Sequence, residues 1–368
     1  MTEVVVIGCG IVGAAIAYEL SPLPDLTLTV IDQRPPAHGA TGAALGILMG
    51  VISQKAKGRN WRLREASLRR YATLIPELEA ATGLTIPHNR QGVLSLLTEA
   101  ADLPRWESLQ AIRQRQGWPL EIWSPEQVQS ACPHLAVDTL AAGIYSPCDR
   151  QIAPKALTHA LVAGAQQRGV RFHFGDPVVG FECQGDRAVA VKTSVARHPA
   201  DWVVVAAGLG SAGLSQQLQQ PLALGPVLGQ GLRVRLPEPL GDRTFQPVVN
   251  GNDIHLVPLG AGDYGVAATV EFPAEGDHHP LPEAEALRAV WEGAIAYCPT
   301  LAKAEILETW YGLRPRPQGQ AAPVIQPLAG YANITLATGH YRNGVFLAPA
   351  TAQQVKAMVT AGLQSGLQ

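Results

Sequence analysis

Thr2-Glu-Val-Val-Val-Ile-Gly8-Cys9-Gly10-Ile-Val-Gly13, followed by a helix-like run and then Leu28-Thr-Val-Ile-Asp32, is the stretch that decides the fold. An apolar, β-branched strand enters Gly-x-Gly-x-x-Gly, a helical segment (Ala14 to Leu20) follows, and a second strand ends on an acid. That order is a βαβ unit, and each part has a task on a dinucleotide. Gly8 permits the tight turn, Gly10 lets backbone approach a pyrophosphate, and Gly13 lets helix and strand pack closely. The helix N-terminus points its free N–H groups at the phosphates. Asp32 stands about 20 residues beyond the last glycine, where a carboxylate binds ribose hydroxyls. Its charge disfavours a 2′-phosphate and therefore NADP, leaving NAD or FAD.

The rest of the composition sets outer bounds. With 368 residues, 47% of them hydrophobic and 16% charged, the chain is long enough for two domains or one large composite with a sizeable core. A net charge of −2 creates no global field for nucleic acid, so no nucleic-acid partner is expected. The five cysteines (Cys9, Cys132, Cys148, Cys183, Cys298) form no C-x-x-C pair. That suits a reducing compartment and argues against a metal site. No basic segment precedes an apolar one at the start, and no run of about 18 apolar residues occurs. The expectation is a cytoplasmic protein without a transmembrane segment.

Outward from Asp32 comes a Pro-rich exit, then Gly39-Ala-Thr41-Gly42-Ala-Ala-Leu-Gly46-Ile-Leu-Met49-Gly50, whose small residues suit backbone lying against a flat ligand. Residues 61–81 read as a helix through Leu63, Ala66, Leu68, Tyr71, Leu74 and Ile75. Residues 84–100 and 139–146 read as strands around a helical insert. A helix starting at Pro154 ends at Gly169, and a strand runs from Val170 to Phe174. Trp202-Val-Val-Val-Ala-Ala-Gly208 reads as a buried central strand. From about 226 to 312 the pattern alternates, as in an antiparallel sheet: Gly231 to Leu236, Ile254 to Pro258, Gly265 to Glu271. Residues 332–338 form a last apolar strand before a C-terminal helix. The simplest account is a discontinuous nucleotide domain (1–82, 147–225 and 313–368) interleaved with a substrate domain (83–146 and 226–312).

The block Gly339-His-Tyr-Arg-Asn-Gly-Val-Phe-Leu-Ala-Pro-Ala-Thr351 sharpens the cofactor question. Together with the N-terminal fingerprint it resembles the D-amino-acid oxidase superfamily of FAD enzymes, in particular the glycine oxidases. The resemblance also takes in residues 39–48, Asp176-Pro-Val178, Val204-Val-Ala-Ala-Gly208, His255-Leu-Val-Pro258, Ala267-Ala-Thr-Val-Glu271 and Tyr311-Gly-Leu-Arg-Pro315. It implies an α/β (α+β composite) fold, with a Rossmann-like FAD domain of the glutathione-reductase type and an antiparallel-sheet substrate domain. It further implies non-covalent FAD held by Gly8, Gly10, Ile11, Val12, Gly13, Asp32, Gln33, Arg34, Thr41, Ala43, Ala44, Gly46, Ile47, Leu48, Val178, Ala206, Ala207, Gly208, Gly339, His340, Arg342, Asn343, Gly344 and Val345. The N-terminus of the last helix would favour the negative charge of the reduced ring.

At the substrate end the resemblance implies a carboxylate clamp by Arg314, a second arginine at Arg342, and His255 where glycine oxidases carry a tyrosine. The reaction implied is oxidation of the Cα–N bond of a small amino acid. Hydride passes to the flavin, an imine hydrolyses to oxo acid and ammonia, and O2 or another acceptor takes the electrons. Oxidation of a secondary amine or 2-hydroxy acid with a quinone or carrier acceptor is the alternative within enzymes; a flavin-containing assembly factor with little catalysis is the alternative outside them. The basic stretch Lys55 to Arg70 reads as a solvated face, with a peripheral membrane contact and a homo-oligomer left open. His278-His279 reads as an exposed loop pair rather than a metal site.

Overall fold

The computed structural model describes residues 1–365 apart from 275 and 278. Strand β1 (Thr2–Ile7), helix α1 (Ile11–Leu20) and strand β2 (Leu26–Asp32) form the expected unit, with β1 and β2 parallel from Thr2↔Leu26 to Ile7↔Ile31. Among the described residues they belong to a six-stranded sheet, ordered Val324–Pro327, Ile334–Thr338, Trp202–Val205, β1, β2, Arg171–Phe174. It is parallel except at Val324–Pro327. A strand alternates its side chains between faces. Val4 and Val6 of β1 therefore join the core under the helices, while Val5 and Ile7 join a second core on the opposite face.

The helical layer consists of α1, Pro154–Gln167, the C-terminal helix Gly344–Ser365, and helix α2 (Gly58–Thr82) packed outside them. α1 is buried nearly all round and is mostly Ala, Ile, Val and Leu; its one charge, Glu19, pairs with Arg70 of α2. The opposite face is covered by a three-stranded antiparallel sheet (Val178–Gln184, Arg187–Thr193, Arg197–Pro199) and the short helix Ser211–Gln217. Its strands are short and mostly half-buried or exposed, so they carry no strong apolar pattern along the sequence.

Among the described residues the second sheet has eight strands, ordered Glu305–Pro317, Leu224–Arg235, Asp263–Ala267, Ile254–Gly260, Val248–Gly251, Val93–Leu97, Ala142–Ser146, Glu121–Trp123. It departs from an antiparallel expectation at one place, since Val248–Gly251 runs parallel to Val93–Leu97. The strand expected over 84–100 is confined to Val93–Leu97 and the two-residue His88–Asn89, broken by Gly92 at φ +82. A helix, Ala284–Tyr297, lies within the region expected as an antiparallel sheet, and its Val290 and Ala294 join one core with Leu256 and Val266. The long strand carrying Arg314 continues in this sheet to Pro317. Among the described residues no helix is long and apolar enough to cross a membrane.

Candidate active site

The C-terminal ends of β1, β2, Trp202–Val205 and Ile334–Thr338 open where the strand order reverses, the usual ligand crevice of such sheets. There a cavity of about 710 Å³ runs from the glycine turn to the face of the eight-stranded sheet. Gly8, at φ +103, makes the turn, and a Cβ on it would lie 2.5 Å from the Ala206 carbonyl oxygen. Gly13 does not line the cavity; it packs α1 on the turn, where a Cβ would lie 1.9 Å from the Gly8 oxygen. Leu48 is likewise core rather than wall. The other residues expected to hold the cofactor, from Gly8 to Val345, line this one cavity.

At the glycine end, the two Asp32 oxygens each accept a backbone N–H, from Cys9 at 2.6 Å and from Arg34 at 2.9 Å. Those bonds aim the carboxylate while leaving lone pairs for a ribose. Thr41 Oγ1 accepts the Ile11 N–H at 3.0 Å, so the small-residue loop is stitched to the first turn of α1. Cys9 is fully buried, and burial raises its thiol pKa far above the ordinary value, with Asp32 adding to the effect. It is inert packing.

At the far end the groups are cationic. Arg314 lines the cavity, donating from Nη1 to the Leu228 carbonyl at 3.0 Å. Burial, and then Arg342, lower its pKa, but a guanidinium stays charged. Arg342 is more open and lies 3.8 Å from the Asp253 carboxylate, an exposed pair of little energetic weight. His255 stands on Ile254–Gly260 with Nδ1 sealed from solvent and without a hydrogen-bond partner. Burial, with Arg342 contributing, pushes its pKa down to about 4, so the ring is neutral at physiological pH. Gln230, Trp310 and Met49 complete this end; Trp310 Nε1 donates to the Ala43 carbonyl at 3.0 Å and ties the eight-stranded sheet to the turn Ala40–Ala43.

His340 lines the cavity, but its ring serves the fold: Nε2 lies 2.9 Å from Thr351 Oγ1 in the last helix. Burial, and then Arg59, push its pKa down to about 3.

Three residues that pattern reading passed over shape this wall. Arg64 lines the cavity and is 8% exposed. Asp149, fully buried, accepts the N–H groups of Gly50, Val51 and Ile52 at 2.7, 2.9 and 2.8 Å. Arg113, also fully buried, donates to the carbonyls of Val51 and Ser53 at 2.7 and 2.6 Å and lies 3.7 Å over the Trp61 ring. The basic stretch is therefore not one solvated face. Arg70 bonds Glu19 and Glu77, Arg59 donates to the Pro323 carbonyl, and Arg64 is internal. A signal existed for Arg64, which falls on the stripe Trp61, Arg64, Leu68, Tyr71, Ile75, Leu78, spaced alternately by three and four. His279 is exposed, His278 lies outside the described residues, and no metal-binding cluster occurs among the described residues.

An elongated site with a ribose-directed carboxylate and helix N-terminus at one end and cations plus a second helix N-terminus at the other fits a flavin dinucleotide. The comparisons agree. A family model described as FAD dependent oxidoreductase matches residues 3–358. The bifunctional protein ThiO/ThiG of Trichormus variabilis is 32% identical over 95% of this chain. The chain spans about half (51%) of that relative's length. A glycine oxidase of Pseudomonas aeruginosa is 31% identical, over 95% of this chain and 92% of the relative. The crystal structure of glycine oxidase from Geobacillus kaustophilus superposes with a TM-score of 0.88 at 24% identity, covering 98% of this chain and 95% of that one, a likeness of fold. The chain belongs to the FAD-dependent oxidoreductases of the D-amino-acid oxidase family, whose cofactor is FAD.

Proposed function

We propose that the chain oxidises the Cα–N bond of a small amino acid, glycine being the first candidate. Arg314 carries this reading: a half-buried cation in the cavity wall with one hydrogen bond among the described residues, to Leu228, and further donors unspent. A guanidinium fork matches a carboxylate in two parallel hydrogen bonds, so the substrate's carboxylate is held there and its α-carbon presented to the ring. Bound FAD supplies the two-electron acceptor, and the resulting imine hydrolyses to an oxo acid and ammonia.

The protein's own contribution is orientation. Arg314 fixes one end of the substrate, Trp310 and Met49 wall the cavity, and neutral His255 offers a hydrogen-bonding nitrogen without adding a third charge. No side chain has to act as an obligatory base, because the amine reacts in its neutral form. His255 in place of tyrosine favours a substrate range different from that of glycine oxidases. O2 is the proposed final acceptor. The FAD is proposed to be held non-covalently, and none of the five cysteines lines the cavity. All five cysteines are unpaired, which supports a reducing, cytoplasmic location.

The test is anaerobic titration of the FAD-loaded protein with glycine, sarcosine, other small amino acids and 2-hydroxy acids. Bleaching of the flavin by an amino acid is expected, at a concentration that rises steeply in Arg314→Ala. Bleaching by hydroxy acids alone, or by none of the panel, would overturn the reading.

A further inference from the structure

The buried stripe of α2 holds one charge, Arg64, among Trp61, Leu68, Tyr71, Ile75 and Leu78. Burying a guanidinium is costly unless its charge is met. Its partners are neutral: Nε donates to Ser53 Oγ at 3.1 Å and Nη2 to Asn343 Oδ1 at 3.3 Å. Among the described residues no carboxylate forms a salt bridge with it, and Nη1 has no hydrogen-bond partner. The nearest buried charges do not cancel it. Asp149, held on the N–H groups of residues 50–52, is the buried carboxylate whose charge acts on both Arg64 and Arg113, so two guanidiniums share one buried carboxylate.

That surplus faces the cavity. Ser53, Arg64 and Asn343 all line it, and Asn343 immediately precedes the helix Gly344–Ser365. Tyr71, one helical stripe position beyond Leu68, donates to the Val345 carbonyl and clasps α2 to the first turn of that helix. The guanidinium and the helix N-terminus thus act from the same wall, and their potentials add.

We propose that Arg64 sets the reduction potential of this chain's FAD, holding a buried positive charge against the ring end of the cavity so that the reduced, anionic state is favoured. This rests on the ring lying at the end that carries Arg314. The substrate's Cα–H bond breaks with its electron pair leaving as hydride, so two electrons and one proton reach the ring and it gains one unit of negative charge. A fixed cation lowers the energy of the charged state more than that of the neutral one. Arg64 is accordingly a positioning residue for charge, separate from Arg314, which holds the substrate.

The experiment is equilibrium reduction of FAD-loaded wild type, Arg64→Met, Arg64→Gln and Arg64→Lys by an enzymatic reductant against a reference dye. The neutral variants are expected to lose about tenfold in reduced-to-oxidised ratio, a potential about 30 mV lower for a two-electron couple. Arg64→Lys keeps the charge and stays near wild type. An unchanged potential in either neutral variant that retains FAD would overturn the proposal. Should neither hold FAD, Arg64→Lys is titrated into the alkaline range, where loss of the lysine proton must add a fall in potential that wild type lacks; parallel curves would overturn it. No substrate enters these measurements, so a chain that oxidises no amino acid would sink the proposed function and leave this result standing.

Discussion

The Arg314 guanidinium occupies the space that Gly229 leaves empty: a Cβ built on Gly229 would lie 2.1 Å from Arg314 Nη2. The two residues are diagonal neighbours on one face of the paired strands Leu224–Arg235 and Glu305–Pro317, where Val227 opposes Arg314 and Gly229 opposes Gly312. The absence of a side chain on one strand therefore sets the direction of a cation on the other.

Gly229→Ala follows from this geometry as a functional rather than a folding mutation. The displaced atoms are the end of a long side chain, so the arginine yields and the sheet does not. KM for an amino-acid substrate is expected to rise on the order of ten- to a hundredfold, the worth of a charge-assisted bidentate contact. Steady-state kinetics with a flavin absorbance spectrum checks it; a normal KM would show that Arg314 does not hold the substrate.

Asp149→Ala strips the acceptor from three successive buried N–H groups between the cavity-lining Met49 and Ser53. Each unmet buried donor costs about 1–3 kcal/mol, so a loss of several kcal/mol is expected, with weaker FAD retention. Asp149→Asn keeps one acceptor oxygen and is expected to fall between. Thermal unfolding with and without added FAD measures both effects.

At the other end of the cavity, Asp32→Ala frees the Cys9 and Arg34 N–H groups and removes the ribose-directed carboxylate. FAD affinity is expected to weaken about ten- to a hundredfold, read by quenching of flavin fluorescence, while excess FAD restores reduction by substrate. Unaltered affinity would remove Asp32 from the cofactor site.

Stability should fall on mild acidification. Burial, with help from nearby arginines for the first two, holds His340 at about 3 and His255 at about 4; burial alone holds His134 at about 4. In the unfolded chain each takes a proton near 6.5. Below that pH the unfolded state binds protons the folded state refuses, so stability is complete above about 6.5 and is lost as pH drops toward 4. His340 alone is expected to cost on the order of a few kcal/mol over that window. Urea midpoints measured down the pH scale, with His340→Gln giving a shallower decline, test the sign; a flat profile would refute it.

Much of the cofactor end was legible because its chemistry is local. Gly8, Gly13 and Asp32 stand at fixed offsets within one βαβ unit, and their contacts are made inside it or with the strand alongside. The substrate sheet was legible as a class, but Ala284–Tyr297 was hidden inside a region of alternating pattern, although Leu287, Val290, Trp291 and Ala294 recur at helical spacing. Arg64 was hidden for another reason. In a run that includes Arg62, Arg69 and Arg70 it looks like one more surface cation, and only its position on the buried stripe separates it from them.

The βαβ fingerprint, the acid at its end and the order of the motifs are readable along the chain, because strand and helix periodicity and glycine stereochemistry act over a few residues. Tertiary structure decided which charges are buried and what they face. Arg64 meets Asn343, Asp149 meets Gly50, and Arg314 lies over Gly229, all across long separations along the chain. The electrostatics of a cavity depend on distance and desolvation in space, and neither is written in the spacing of residues along the chain.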